Sequence, residues 1–165
     1  MSVVTLSGDL RIYSAPKALI RHIQWSLNSI FESKVSLDWV AQPLAAGTYA
    51  CELQWRSRNK CASTIASTLK SWHFIRFEVR EFPTVGGEGV LYRCTPELGL
   101  HQAVTASTGD VMIHENRLLT ILSQNKSFET LKEGVESALG TAWDHELECY
   151  RKGIEIEALP LRITI

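Results

Sequence analysis

The order of two kinds of apolar pattern between Asp9 and Phe82 constrains the fold of this chain more than any other feature. Segments in which apolar and polar residues alternate are typical of strands, and segments with apolar residues three or four positions apart are typical of helices. Here they follow in the order strand, helix, strand, strand, helix, strand. That order is the split βαβ signature of a ferredoxin-like sandwich. The sequence therefore predicts an α+β fold with a βαββαβ core, in which two helices cover one face of a four-stranded antiparallel sheet.

The same alternation predicts the character of both sheet faces. Strand two is predicted from Val35, Leu37 and Trp39, and strand three from the alternation around Leu53. The face opposite the helices would present polar side chains of both signs: Arg11, Tyr13, Asp38, Glu52, Gln54, Arg56, Arg76, Glu78 and Arg80. Two interpretations stay open for this face, because antiparallel sheets commonly wet one side. It is either solvated and held by cross-strand charge pairs, or covered by the C-terminal part of the chain.

After the glycine-rich turn at residues 86–89 the pattern changes. A strand is predicted for residues 90–95, a hairpin around residues 107–110, and helices near residues 114–123, from Ser127, and near residues 143–150. The alternation of Ile154 to Ile165 predicts a late strand. We expect residues 1–84 to form the ferredoxin-like core and residues 85–165 a C-terminal β-hairpin and helical extension, packed on that core as one compact unit.

Composition excludes several functional classes. The 165 residues carry a formal net charge of −1, which provides no general attraction to nucleic acid. An RNA platform needs aromatic residues on the central strands, and Tyr13 alone meets that condition. The four cysteines are scattered without zinc-ligand spacing, so we predict no metal and no cofactor. No apolar run reaches the length of a membrane span, and no signal peptide is evident, so we expect a cytoplasmic monomer that binds no membrane.

Several sequence phrases together resemble a known family. They are SAPKAL near Pro16, HIQW at residues 22–25, VSLDWVAQP at 35–43, GTY at 47–49, RFEV at 76–79, YRCTPELGLHQAV at 92–104 and WDHELECYR at 143–151. In this order they resemble an actinobacterial family catalogued as domain of unknown function 3145, over nearly the whole chain to about Gly153. The resemblance implies an actinobacterial cytoplasmic protein, and the frequent proximity of family members to genes of type II fatty acid synthesis suggests an acyl-carrier or acyl-CoA context. It implies no catalytic residue.

Candidate chemistry in the sequence is sparse. His101, His114 and Glu115 could act in acid–base catalysis, but no nucleophile or orienting pair accompanies them, so no catalytic residue is predicted. Asp144, His145 and Glu148 could form a metal site, although pairing of such acidic turns with Arg151 and Lys152 is the commoner arrangement.

The sequence favours a non-enzymatic interaction or regulatory module that binds an unknown protein or a small acyl-type ligand. The alternative is a small-molecule-binding protein or enzyme with a pocket between core and extension. In either case the ligand- or partner-binding residues are predicted to be Trp39, His101 and Trp143.

Overall fold

The computed structural model of the chain describes residues 4–158, with side chains described as far as Glu155. In that part of the chain the structure is mixed α/β. The strands are β1 (Leu6–Pro16), β2 (Val40–Ala41), β3 (Thr48–Ser57), β4 (Arg76–Glu81), β5 (Gly89–Thr95), β6 (Gly99–Thr105) and β7 (Val111–Met112). The helices are α1 (Ile20–Phe31), α2 (Ala62–Lys70), α3 (Glu115–Gln124), α4 (Phe128–Leu139) and α5 (Thr141–Ala158).

All seven of these strands belong to one open sheet in the order β2-β3-β1-β4-β5-β6-β7, and each neighbouring pair is antiparallel. Leu10 of β1 pairs with Leu53 of β3 on one side and with Val79 of β4 on the other. The predicted hairpin is present as β6 and β7, but it does not follow a finished four-stranded sheet. Strand β5 pairs with β4 and continues the sheet. Helix α2 contacts β5 and so does helix α5, and the side chains of β5 are buried on both faces of the sheet.

The hydrophobic core lies between one face of the sheet and helices α1 and α2. Ile23 and Leu27 of α1 are fully buried, as the spacing of apolar residues in this helix predicts. From the sheet, Leu10 and Phe77 reach the same cluster. Burial of such large side chains contributes about 1.5–3 kcal/mol each, so this layer supplies most of the apolar stabilisation.

The predicted second strand from Val35 to Trp39 is wrong. These residues form no ladder, and β2 consists only of Val40–Ala41. Side chains of α1 take the backbone groups of Val35: Asn28 Oδ1 accepts its N–H at 2.8 Å, and Gln24 Nε2 donates to its carbonyl at 2.6 Å. The alternation of apolar and polar residues in this segment does not reflect a strand. The side chain of Trp39 packs against the hydrophobic core, although the backbone does not join the sheet.

The predicted late strand is also wrong where the structure describes it. Helix α5 continues from Thr141 to Ala158, and residues 159–165 of the predicted strand lie outside the described residues. Helical spacing competes with alternation here, because Leu147, Arg151 and Ile154 lie three or four residues apart and share one side of the helix. Gly153 fits inside the helix, where a β-carbon would lie 3.2 Å from Leu44 Cγ.

Between residues 4 and 158, no helix combines the length and the apolar character needed to cross a membrane.

Candidate functional site

Helix α5 covers the central part of the polar sheet face. Tyr13, Glu78 and Arg93 are buried beneath it, and Leu147 is buried completely on the helix side. Toward β3 the same face stays exposed, and Arg11 Nη2 pairs with Glu52 Oε1 across the strands at 3.2 Å. Each of the two interpretations of this face therefore holds for a different part of it.

Ion pairs and an aromatic contact attach the middle of α5 to β4. Arg76 Nε donates to Glu146 Oε1 at 2.7 Å, and its guanidinium lies 4.6 Å from the centre of the Tyr150 ring. Such cation–π contacts are strongest where water is partly excluded, and both partners of the Arg76–Glu146 pair are mostly buried. Polar contacts thus attach α5 to the sheet, whereas apolar contacts attach α1 and α2.

Glu78 is the most deeply buried charge of this layer, with 1 % of its side chain exposed. Its Oε1 accepts from Arg80 Nε at 2.9 Å, and its Oε2 lies 3.8 Å from Arg151 Nη2. Arg151 also donates to the hydroxyl of Tyr13 at 3.1 Å and pairs with Glu148. Burial raises the pKa of Tyr13, so the phenol stays neutral and accepts from the arginine.

Two of the three predicted site residues lie side by side. The ring centres of His101 and Trp143 are 4.8 Å apart, and Trp143 Nε1 donates to the carbonyl of Gly99 at 2.9 Å. Trp143 is in the first turns of α5, whereas His101 is in β6. The pair therefore attaches the beginning of α5 to the sheet.

His101 and its cross-strand neighbour Arg93 hold the end of α4. His101 Nε2 donates to the carbonyl of Ala138 at 3.1 Å, and Arg93 Nη2 donates to that of Leu139 at 2.6 Å. Carbonyls at a helix C-terminus carry partial negative charge and favour such donors. The next residue, Gly140, has a φ of +74°, and a β-carbon there would lie 2.5 Å from Arg93 Nη2. The left-handed backbone and these close side chains therefore favour glycine at this junction.

This arrangement leaves His101 poorly suited to catalysis. Burial, with a further contribution from the charge of Arg93, lowers the pKa of His101. Its second nitrogen, Nδ1, is buried and has no hydrogen-bond partner among the described residues. His101 and His114 line the same cleft of about 350 Å³, yet the nitrogen that could act as a base is not open to it. The geometry assigns His101 a structural role.

Trp39 lies away from this pair. Its side chain packs against the hydrophobic core, on the helical side of the sheet, whereas the neighbouring Val40 lines a cleft on the α5 side. That cleft, of about 330 Å³, separates β1 and β3 from the end of α5. Its lining is Arg11, Ile12, Tyr13, Asp38, Val40, Ala50, Cys51, Glu52, Arg151, Ile154 and Glu155. A space between the first half of the chain and the extension is thus present, but Trp39, His101 and Trp143 do not line it.

A larger cleft of about 750 Å³ lies at the outer edge of β3, between the end of α1 and the start of α2. We call it the basic cleft, because four cationic side chains line it: Lys34, Arg56, Arg58 and Lys60. Sequence analysis missed this site. The signal was the run WRSRNK at residues 55–60, in which three cations follow each other at alternate positions at the end of β3.

Helix α3 exposes an apolar surface, which we call the α3 leucine face: Leu118, Leu119 and Leu122. Their side chains are 39, 54 and 51 % exposed, whereas Ile121 is the one buried residue of this helix. Single exposed apolar residues are ordinary, but three on one face of a ten-residue helix are not.

The described part of the chain contains no cluster of metal ligands, and burial disfavours ionisation of two of its thiols. No group of three or more His, Cys, Asp or Glu side chains there could hold a metal ion. Glu148 of the predicted acidic turn pairs with Arg151 and with Lys152. Burial raises the pKa of Cys51 to about 12, and burial together with Glu81 raises that of Cys61 to about 11, so neither thiol ionises readily.

The family described as Protein of unknown function (DUF3145) matches residues 10–160 of the chain. The chain belongs to this family. The resemblance drawn from the sequence phrases is confirmed at that level. No curated protein and no solved structure matches the chain.

The match to DUF3145 begins within β1 and continues past the last described residue of α5. It therefore contains the polar layer under α5, both clefts outside the His101 region and the α3 leucine face. Each of these features lies inside the part of the chain that characterises the family.

Proposed function

We propose that this protein is a non-enzymatic interaction or regulatory module that binds a partner protein through the α3 leucine face. The observation that carries the proposal is the exposure of Leu118, Leu119 and Leu122 on one side of a helix with a single buried residue. Leaving such a surface in water is unfavourable unless a partner covers it for part of the time.

The occupant that fits best is an amphipathic helix of another protein. Helix α3 has ten residues and is about 15 Å long, which matches about three turns of a partner helix docked through its own apolar stripe. A second copy of this chain is the alternative occupant, and its binding would appear as a dimer in light scattering.

A capture experiment tests this proposal. Tagged protein in native lysate is compared with the double variant Leu119→Ser/Leu122→Ser and with Trp25→Ser, a control that removes an aromatic side chain 76 % exposed on α1. We expect the unchanged protein and the control to capture one protein in stoichiometric amount, and the double variant to capture about tenfold less. Crosslinks from position 119 should lie in a helix of that protein. Equal capture by the double variant, or no stoichiometric partner, would contradict the proposal.

The fold supports a finer architectural proposal. We propose that β1 to β4 with α1 and α2 form a ferredoxin-like unit, supported by the order β2-β3-β1-β4 within the sheet and by both helices packing on one face. We also propose that residues 1–84 and 85–165 act as one compact unit, supported by the ladder between β4 and β5. The proposed setting is the cytoplasm of an actinobacterium, with a partner from fatty acid synthesis and no nucleic acid.

A second candidate is binding of a small acyl-type ligand in the cleft of about 330 Å³. Val40 and Ile154 offer apolar surface to a short chain, and a ligand carboxylate would have to compete with the carboxylates that already pair with Arg11 and Arg151. Octanoate is a suitable probe: we expect it to raise the melting temperature of the unchanged protein but not that of Val40→Asp. The same response from both proteins would contradict this candidate.

A further inference from the structure

The basic cleft occupies the place where a strand ladder is missing. Strand β3 pairs with β2 only at Tyr49 and Ala50, so the outer edge of β3 from Cys51 onward has no strand beside it in the described chain. Residues 33–36 border the cleft from the other side. Since alternate backbone groups along an unpaired strand edge point outward, this side of β3 presents hydrogen-bond donors and acceptors to the cleft.

The charge of the cleft is one-sided. Lys34, Arg56, Arg58 and Lys60 line it together with a single carboxylate, that of Glu32. In the part of the chain that the structure describes, none of these four cations forms a salt bridge, whereas the arginines beneath α5 are paired. All four residues are exposed, so water and salt screen their mutual repulsion without removing it, and this local excess of positive charge occurs in a chain whose net charge is −1. An anion would relieve the repulsion.

The remaining lining suits a ligand that is more than a bare ion. Hydroxyl and amide side chains are supplied by Ser33, Ser57, Asn59 and Thr64, and Phe31 and Trp55 contribute apolar surface. The two aromatic rings pack on each other with centres 6.1 Å apart. Volumes of about 300–1,000 Å³ are typical of small-molecule sites, and the cleft of about 750 Å³ is within this range.

The start of α2 adds little to anion binding. Although Cys61 and Thr64 line the cleft, the N–H groups of Cys61 and Ala62 donate to Glu81 Oε2 at 3.3 and 3.4 Å. The positive charge of the cleft therefore comes from side chains. Arginine binds phosphate through two parallel hydrogen bonds, and lysine acts as a point charge, so the combination favours phosphate groups over a single carboxylate.

We propose that the basic cleft binds a phosphate-bearing small molecule of nucleotide size. This site is separate from the α3 leucine face, so either proposal can fail without the other. A polymer of nucleotides fits the observations less well. The described cations outside the cleft do not continue it as a basic groove along the sheet, because Arg11, Arg76 and Arg80 are paired with carboxylates.

Isothermal titration tests the proposal with three probes: adenosine diphosphate, inorganic pyrophosphate and adenosine. Each is titrated into the unchanged protein, into Arg56→Glu/Arg58→Glu, and into Lys17→Glu/Arg21→Glu. The last variant removes two exposed cations from the opposite end of α1 and changes the net charge equally. We expect one or both phosphate probes to bind with an affinity that falls at higher salt, and adenosine not to bind. The cleft variant should weaken binding by about tenfold or more, and the control by much less.

The charge-reversal variant could lose binding because it misfolds. A milder variant, Arg58→Gln/Lys60→Gln, is therefore tested as well, and circular dichroism shows whether each variant is folded. It too should weaken the phosphate probes. The proposal is overturned if neither phosphate probe binds, if the control weakens binding as much as the cleft variants, or if a single-stranded oligonucleotide binds more tightly than both phosphate probes through the same residues.

Discussion

At the scale of single residues, Gly140 combines a left-handed backbone with close side-chain neighbours. It joins α4 to α5 with a left-handed backbone, directly under Arg93 and His101. Few positions combine a positive φ with so little space for a side chain. The pairing of His101 with Trp143 and the capping of α4 both depend on the close approach that this glycine permits.

We expect Gly140→Ala to destabilise the protein by about 2–4 kcal/mol, because strain at positive φ adds to a collision with Arg93 Nη2. The matched control is Gly109→Ala. Gly109 has a φ of +88° but nothing within 4 Å of a β-carbon, so it should lose only about 1–2 kcal/mol. Urea unfolding measures both changes, and equal losses would mean that the junction relaxes without cost.

His101 predicts a dependence of stability on pH. Its pKa in the folded protein is lowered by burial and by Arg93, although carbonyls of Ala138 and Ser137 oppose the shift. The unfolded chain takes up the proton near pH 6.5, whereas the folded protein takes it up at lower pH. The stability that neutral His101 contributes is therefore complete above pH 6.5 and is lost as the pH falls below it.

We expect the free energy of unfolding to fall between pH 7.5 and 5.5, and to fall less in His101→Gln, whose amide can still donate to Ala138 but does not titrate. His22→Gln, at an exposed position of α1, serves as control and should behave like the unchanged protein. Unfolding in urea at the two pH values measures this. If His101→Gln loses as much stability as the unchanged protein, titration of another group dominates.

At the scale of elements, α5 differs from α1 and α2 in the chemistry that holds it. Arg151 lies between buried Glu78, Tyr13 and Glu148, so its removal leaves Glu78 with Arg80 alone. We expect Arg151→Met to cost about 2–4 kcal/mol, somewhat below the usual cost of breaking a buried pair because Arg151 is partly exposed.

Lys132→Met is the control for this prediction, since it removes one member of an exposed pair with Glu136 within α4. Its cost should be about 0–0.5 kcal/mol. Urea unfolding gives both values, and hydrogen exchange should show faster exchange of α5 amides in Arg151→Met. Similar costs for the two variants would mean that the buried network contributes no more than a surface pair.

Elements whose side-chain pattern and backbone partners agree could be predicted from the sequence. Strand β3 and helix α1 follow their periodicity, and Ser127 begins α4 with a capping box that its sequence indicates. The segment from Val35 could not be predicted, because Gln24 and Asn28 reach its backbone from a distant turn of α1. Such contacts between side chains and backbone do not appear in the periodicity of apolar residues, so the sequence pattern does not reveal them.

Sequence patterns carry less information about the surroundings of the predicted site residues than about the fold. His101 and Trp143 do meet, but only the structure reveals that their polar atoms are directed at the backbone of Ala138 and Gly99. Trp39 is predicted on a second strand that includes Val35 and Leu37, and because that strand is absent the neighbours of Trp39 differ from those expected. The basic cleft exists because that same strand is missing, so a prediction that included the strand could not include the cleft.

At the scale of the whole molecule, the sheet ends are short or charged. Strand β7 has two residues, and the open edge of β3 carries Arg56, with Arg58 directly after the strand. Two copies that paired along β3 would bring these cations together, which opposes edge-to-edge association. We expect a monomer with a mass of 18.5 kDa in light scattering across a range of protein concentrations. A dimer mass that persists on dilution would contradict this.

The polar attachment of α5 also determines what calorimetry can detect. Exposure of apolar surface raises the heat capacity on unfolding, whereas exposure of polar surface lowers it. Detachment of α5 would expose one fully buried apolar side chain, Leu147, along with Glu78, Arg93 and Tyr13. The polar groups offset part of the rise that comes from Leu147 and from the rings of Tyr13, Trp143 and Tyr150. A thermal scan would therefore record chiefly the melting of the α1–α2 layer, and an earlier release of α5 would change the heat capacity by a smaller amount per residue.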